Sequence, residues 1–416
     1  MKSIFVTDIQ IENVRHLKNI PITLSKDKFK HLILTGKNGS GKTSVLRAVS
    51  NYLNAAATSD RLIKAEQFLN QHQEKLKKLE AQGAENSQVI ETEKAVEKYT
   101  AELREIKSGV LVRFNESMDS LRYHFDKGHF VLAYYKAERT FEAELPKHVE
   151  KVDLKEKYFI NESPRQLFVK YLLDLKVTEA LARNNGKIQK ADEIKVWFNK
   201  LQTLLRRIFD DDSLELIFEE DSYAFLIKEK NREAFDFNSL SSGFAAVLDI
   251  VLDIIVRMEK TTNRSFDFNV PGIVLIDEIE THLHLDMQKS ILELLTTIFP
   301  NVQFIISTHS PFILNSLDNV IIYDLENNIM VKNGLTNVPY DGIVEGYFKS
   351  NIMSNVLKEK YERYKELVIK NELTDNDFAE IAELELFLNE IHDYLALDIT
   401  TEYKRIKMEF ESREDV

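Results

Sequence analysis

The stretch HLILTGKNGSGKTSVLRAVSNYL, residues 31–53, decides the fold. HLILTG (31–36) is an apolar run of strand length, and TSVLRAVSNYL carries its apolar residues at helical spacing. Between them, Gly36-Lys37-Asn38-Gly39-Ser40-Gly41-Lys42-Thr43 fits G-x-x-x-x-G-K-[ST] in the strand–turn–helix context that a phosphate-binding loop requires. The glycines let successive backbone N–H groups curl around phosphate oxygens, with the helix N-terminus aimed at them. Lys42 is placed to reach the β- and γ-phosphates of ATP, the Thr43 hydroxyl to bind Mg²⁺, and Ser44 to join the same cradle.

Such a loop needs a second carboxylate for Mg²⁺ at the end of a neighbouring strand, and GIVLIDE (272–278) supplies it. Asp277 follows four apolar residues and is assigned to the metal through its water shell. Glu278 is the general base that orients and deprotonates the attacking water. DEIETHLHLD (277–286) also admits a metal site built on His282 and His284. Two positions apart on a helix, those imidazoles diverge by about 200°, so they are read as serving or flanking a dimer face. STHSP (307–311) follows another buried strand, which brings His309 to the same rim as a γ-phosphate sensor. SLSSGF (239–244) sets further small donors at a helix N-terminus suited to an anion.

The bulk numbers exclude several classes. The 416 residues contain no cysteine, so disulfides and thiolate metal sites are out, and a reducing, cytoplasmic setting is expected. The N-terminus lacks the apolar core of a signal peptide. AAVLDIVLDIIVRM, from Ala245, is interrupted by Asp249 and Asp253 and does not read as a membrane span. A net charge of −13 argues against a globally basic nucleic-acid coat. Residues 371–416 carry −10 of it, which reads as a solvated helix face and leaves only −3 on the rest of the chain.

Along the chain, residues 3–24 alternate as a hairpin, and 129–135 return to strand pattern. Leu62, Ala65, Leu69, His72, Leu76 and Leu79 are spaced 3-4-3-4-3, and Val89, Thr92, Val96, Tyr99, Leu103 and Ile106 repeat that spacing after Gly83. The pattern predicts an antiparallel coiled-coil arm roughly 35 Å long, with His72 a tolerated seam residue. Residues 170–208 are helical with a break at Asn184-Asn185-Gly186, and 213–230 form a hairpin. Strands 272–277 and 302–308 flank the helix DMQKSILELLTTIF as a β-α-β unit. NVIIYDLEN and NIMVKNG form an edge hairpin, and helices run from about residue 353 to the end.

In this order the motifs resemble an ABC-type ATPase head of the SMC/OLD class. The P-loop comes first, then a helical insertion, an LSSG signature, Asp277-Glu278 and a switch histidine. IENVRHLKN resembles the strand before the P-loop in such heads, and DEIETHLHL resembles the OLD-like form more than the transporter form. Within the class, the chain is most similar to standalone ATPase subunits of bacterial antiphage systems, such as Septu-type and PARIS-type ATPases.

The resemblance implies a homodimer or higher oligomer in which two heads sandwich two ATP molecules head to tail. Ser241, Ser242 and Gly243 then contact the γ-phosphate bound to the partner's Lys42, Arg15 lies near the nucleotide, and Asp286 takes the D-loop position. It further implies a separate effector protein, a nuclease or toxin, and a DNA or phage-derived trigger, with no membrane partner. Two departures stand out. Phe244 replaces the usual Gln or Glu after the signature, and YYKAER offers Lys136, Glu138 and Arg139 where a Q-loop glutamine is expected.

The expected organisation is an α/β P-loop NTPase head at 1–56, 109–162 and 211–345. A coiled-coil hairpin occupies 57–108, a helical insertion 163–210 and an acidic helical extension 346–416. IVEG (343–346) and Asp375/Asp377 resemble parts of a Toprim nuclease. However, LTDNDFAEIAELELFL reads as a helix start with capping aspartates, and too little chain remains for that fold. The competing function is a DNA-repair or chromosome-maintenance ATPase acting on DNA directly. A transporter motor fits the HLHL form and the arm poorly.

Overall fold

Apolar runs on both sides of the glycine loop build the central sheet. β3 (His31–Thr35), β9 (Gly272–Ile276) and β10 (Val302–Ser307) are buried at every position. With β5 (Val131–Tyr135) and β11 (Val320–Asp324) they lie parallel in the order β11-β3-β10-β9-β5. Strands covered on both faces read as unbroken apolar runs, which is why 31–36, 272–277 and 302–308 were legible. The edge hairpin is present: β12 (Ile329–Lys332) pairs antiparallel with β11 at the edge, and β11 is fully buried between β12 and β3. The computed structural model describes residues 4–82, 86–139, 141–230, 232–344, 355–389 and 397–413.

α1 (Lys42–Thr58) lays Val45, Leu46, Val49 and Leu53 into one core with Leu32, Leu34, Leu275 and Ile305 of the sheet. β1 (Val6–Val14) and β2 (Leu17–Thr23) pair as expected, and β4 (Val110–Phe114) adds a third antiparallel strand that the sequence reading lacked. Gln303 of β10 fastens the two sheets. Its Oε1 accepts from the Val6 N–H (2.7 Å), and its Nε2 donates to the Val6 and Lys30 carbonyls (3.0 and 2.7 Å).

α2 (Arg61–Ala81) and α3 (Asn86–Lys107) pack against each other in the segment expected to form an arm. All twelve predicted seam positions are buried or half-buried. Leu62, Ala65 and Leu103 at its base join the α1 core. Phe68 stacks on Tyr99 at 5.3 Å, while Arg61–Glu102 and Lys107–Glu66 pair across the helices. His72 bonds the Phe68 carbonyl (2.7 Å) and packs against Tyr99, as a seam residue should.

Next come α4 (Met118–Asp126), α5 (Phe168–Asn184) and α6 (Ile188–Phe209), then the small sheet β6 (Glu215–Glu219), β7 (Ala224–Lys228) and β8 (Phe235–Asp236). α7 (Ser242–Glu259) is buried almost end to end, acids included. Asp253 accepts from the Tyr135 hydroxyl (2.7 Å) and Arg257 Nε (2.6 Å), and Glu259 from the Tyr171 hydroxyl (2.6 Å) and Trp197 Nε1 (3.0 Å). α8 (Leu285–Ile298) carries the β9–β10 crossover and α9 (Pro311–Leu314) follows β10.

Residues Met1–Tyr340 and Asp341–Val416 are separate compact units. The second contains helices Asn355–Ile369, Asp375–Asn389 and Leu397–Glu411 around Tyr364, Leu367, Ile381, Leu384 and Phe410. Asp377 accepts from the Thr374 N–H (2.8 Å), and the Asp377 N–H returns to Thr374 Oγ1 (3.3 Å), a reciprocal helix cap. Of IVEG, residues 345–346 lie outside the described residues, as do 353–354, where the tail helices were expected to begin. Among the described residues, no helix is long and apolar enough to cross a membrane.

Candidate nucleotide site

The P-loop turns on glycine conformations closed to other residues. Gly36 and Gly41 have φ of +131° and +100°, and Gly41 is the left-handed N-cap of α1. A Cβ on Gly41 would lie 2.8 Å from Leu17 Cδ1. Lys42, only 5% exposed, donates to the carbonyls of Gly36 (2.8 Å) and Lys37 (3.1 Å). Burial pulls its ammonium below the usual lysine range, and Glu278, Glu280, Asp277 and Asp324 oppose that pull. The hydroxyls of Ser40 and Thr35 are buried without a partner among the described residues. A turned-in ammonium, unsatisfied hydroxyls and facing carboxylates fit a polyphosphate bound with a divalent cation.

The acidic side is built by β9, β10 and two buried tethers. Ser307 Oγ donates to Asp277 Oδ1 (2.5 Å) and accepts from the Glu278 N–H (2.8 Å). Arg139, 4% exposed, donates to the carbonyls of Asp277 (2.7 Å), Glu278 (2.9 Å), Ile279 (3.2 Å) and Lys136 (3.0 Å). Glu278 is held at φ +45°, with its carboxylate 3.4 Å from Thr281 Oγ1. Glu280 Oε1 accepts from the His309 N–H (2.5 Å), and its Oε2 is buried without a partner among the described residues. Burial, then Lys42, lowers the His309 pKa, which favours a neutral imidazole, while Glu280, Glu278 and Asp277 act against them.

The structure thus brings Lys42, Asp277, Glu278 and His309 together. Sequence reasoning missed Ser307, Glu280 and Arg139 as parts of the site. The first two sit inside stretches already quoted, and Arg139 stands where a glutamine was sought. His282 and His284 need a correction. They do not lie on a helix, because α8 starts at Leu285, with His284 as its N-cap and His282 in a turn at φ +69°. Among the described residues, no group of three or more acidic or histidine side chains could hold a metal ion.

Ser241, the N-cap of α7, and Ser242 are exposed, whereas Gly243 is buried. A Cβ on Gly243 would sit 3.1 Å from the His282 carbonyl, so the signature helix abuts the turn after Glu278. Phe244 stacks on Phe209 (4.1 Å, 14°). Asp286 is exposed beside Lys289 (3.2 Å). Arg15 is exposed in the β1–β2 turn at φ +53°. Its neighbours His16, Leu17 and Lys18, with Lys37, Asn38, Ser40 and Glu326, line a groove of about 490 Å³ beside the P-loop. That volume accommodates a nucleoside.

The chain is similar to several known proteins. Septu protein PtuA of Bacillus mycoides (strain KBAB4) is 26% identical over 336 residues, 78% of this chain and 41% of that protein. The Retron Ec83 probable ATPase of Escherichia coli is 31% identical over 159 residues, 36% of this chain and 29% of that protein. The chain thus spans less than half the length of either relative. An Smc head solved with the C-winged helix domain of ScpA covers 80% of this chain and 100% of its own, at 14% identity and a TM-score of 0.39. The family model described as "AAA domain, putative AbiEii toxin, Type IV TA system" matches residues 32–315. That match runs from β3 to α9, well over half the sequence, and the chain belongs to this AAA domain family of ATPases.

Proposed function

We propose that the protein is a cytoplasmic Mg-dependent ATPase whose heads dimerise around ATP. In bacterial antiphage defence, the cycle of closing and reopening controls a separate nuclease or toxin. The carrying observation is the convergence of Asp277, Glu278, Glu280 and His309 on the P-loop ammonium of Lys42. The likeness to a Septu PtuA protein and a retron ATPase supports the defence setting.

The P-loop and Lys42 bind the phosphates. Thr43 and Asp277 would hold Mg²⁺, which would supply charge neutralisation at the phosphates. Glu278 orients a water and takes its proton as the water oxygen attacks the γ-phosphorus. The bond to the β,γ-bridging oxygen breaks, leaving ADP and phosphate. Neutral His309 donates to a γ-phosphate oxygen and so responds to its presence. The exposed Ser241 and Ser242, which the fold leaves facing outward, complete the γ-phosphate shell of a second copy.

The test is Glu278→Gln. ATP binding persists, turnover falls by about a hundredfold or more, and size-exclusion chromatography with ATP shows a longer-lived dimer. Unaltered turnover removes Glu278 from its role. Lys42→Ala, by contrast, loses ATP binding itself.

A further inference from the structure

Arg139 lies beyond anything the P-loop scheme requires. Its guanidinium is buried, and its two terminal nitrogens donate to four backbone carbonyls, three of them consecutive at Asp277, Glu278 and Ile279, while Nε has no partner among the described residues. Three carbonyls in a row can converge on one group only if the chain turns sharply between them. The turn is present at Glu278, whose φ of +45° belongs to the left-handed region that non-glycine residues rarely occupy. A glutamate in that conformation persists only if its surroundings hold it there.

The charge of Arg139 is also placed. Burial works against the guanidinium, and the carboxylate that most favours it is Asp249, ahead of Glu280, Asp277 and Glu278. Asp249 is 1% exposed on α7, the helix that begins at Ser242, and Arg165 pairs with it. The bonds that fix Arg139 are those to the carbonyls, since Asp249 is engaged by Arg165. A lysine could not replace Arg139, since one ammonium is a point donor without the planar fork.

We infer that Arg139 is a positioning residue for ATP hydrolysis. It holds the Asp277–Ile279 backbone in the left-handed turn that aims the Glu278 carboxylate at the attacking water. This rests on the ATPase reading above, with Glu278 as base. The bonds of Arg139 go to backbone carbonyls of the turn, so its loss acts on turnover and spares binding.

Arg139→Lys and Arg139→Gln test this through kcat, KM, nucleotide Kd and melting temperature. The expected result is a kcat lower by about tenfold to a hundredfold, with nucleotide Kd within about twofold of wild type. In a Glu278→Gln background, Arg139→Lys should cost nothing further, because the base it positions is already gone. Wild-type kcat in Arg139→Lys overturns the proposal. So does a loss confined to KM, or an equal loss on top of Glu278→Gln.

If both Arg139 variants fail to fold, Arg139→Met fills the same buried space without a charge and removes the donors. A kcat at least threefold lower at unchanged nucleotide affinity supports the inference, and unchanged kcat overturns it. Failure of the underlying reading looks different, since Glu278→Gln alone would then turn over ATP normally whatever residue stands at 139.

Discussion

Ser307 shows how much of this site is carried by residues that hold other residues in place. One hydroxyl donates to the Asp277 carboxylate and accepts from the Glu278 N–H, so the metal carboxylate and the base share one anchor. Ser307→Ala removes both bonds and leaves a backbone donor without its acceptor, at a cost of about 1–3 kcal/mol. The expected phenotype is a kcat lower by about tenfold together with a higher half-saturating Mg²⁺ concentration in an ATPase titration. An unchanged Mg²⁺ dependence would show that Asp277 holds its place without the hydroxyl. Ser307 was legible only as part of STHSP, where the histidine drew the attention. Its role depends on β9 and β10 pairing in register, Ile276 opposite Ile306, which no local pattern discloses. Arg139 was hidden for a related reason, because its partners are carbonyls about 140 positions away and carbonyls leave no trace in a sequence.

At the scale of elements, the central sheet contains a titratable joint. His31 opens β3, is 4% exposed, and its Nδ1 accepts from the Phe304 N–H of β10 at 3.0 Å. Burial lowers its pKa from 6.5 to about 4. Between those values the unfolded chain binds the proton and the folded chain refuses it. Stability is therefore fully present above about pH 6.5 and falls as pH drops toward 4, by at most about 3 kcal/mol. Asp249 has the opposite sign. Burial pushes it up to about 7, so the unfolded chain sheds its proton first and stability falls as pH rises from about 4 to 7. Comparing wild type with His31→Gln isolates the histidine, since Asp249 is common to both. The melting temperature of wild type should fall more steeply between pH 6.5 and 4 than that of the variant, and parallel curves would refute the assignment. The elements themselves were readable wherever one pattern sufficed, in the apolar runs of β3, β9 and β10 and the 3-4 spacing of the arm. β4 and α4 were not, because Arg113 breaks the apolar run of VLVRF and the nine residues of α4 carry too few periods to stand out. DEIETHLHLD forms a tight turn, with positive φ at Glu278 and His282, before the helix begins at Leu285.

At the scale of the whole molecule, the proposed head-to-tail dimer makes a prediction that no single chain can satisfy. Each ATP would lie between Lys42 of one copy and the signature of the other, so a lesion in either motif silences both sites of a homodimer. Lys42→Ala removes the phosphate contact. Gly243→Val forces the α7 N-terminus off the His282 carbonyl, because even a Cβ there stands 3.1 Å from it. Each variant alone should be inactive. Mixed in equal amounts, half of the dimers carry one lesion of each kind. One of their two sites then combines an intact P-loop with an intact signature. Turnover should return to about a quarter of wild type if the sites work independently. It should rise with the square of protein concentration when dilution limits pairing. A mixture as inactive as its components would mean that each head hydrolyses ATP within one chain or through coupled sites. Recovery in the mixture, with Glu278→Gln blocking it in the copy that carries the intact P-loop and leaving it untouched in the other, would place base and signature on opposite sides of the same ATP.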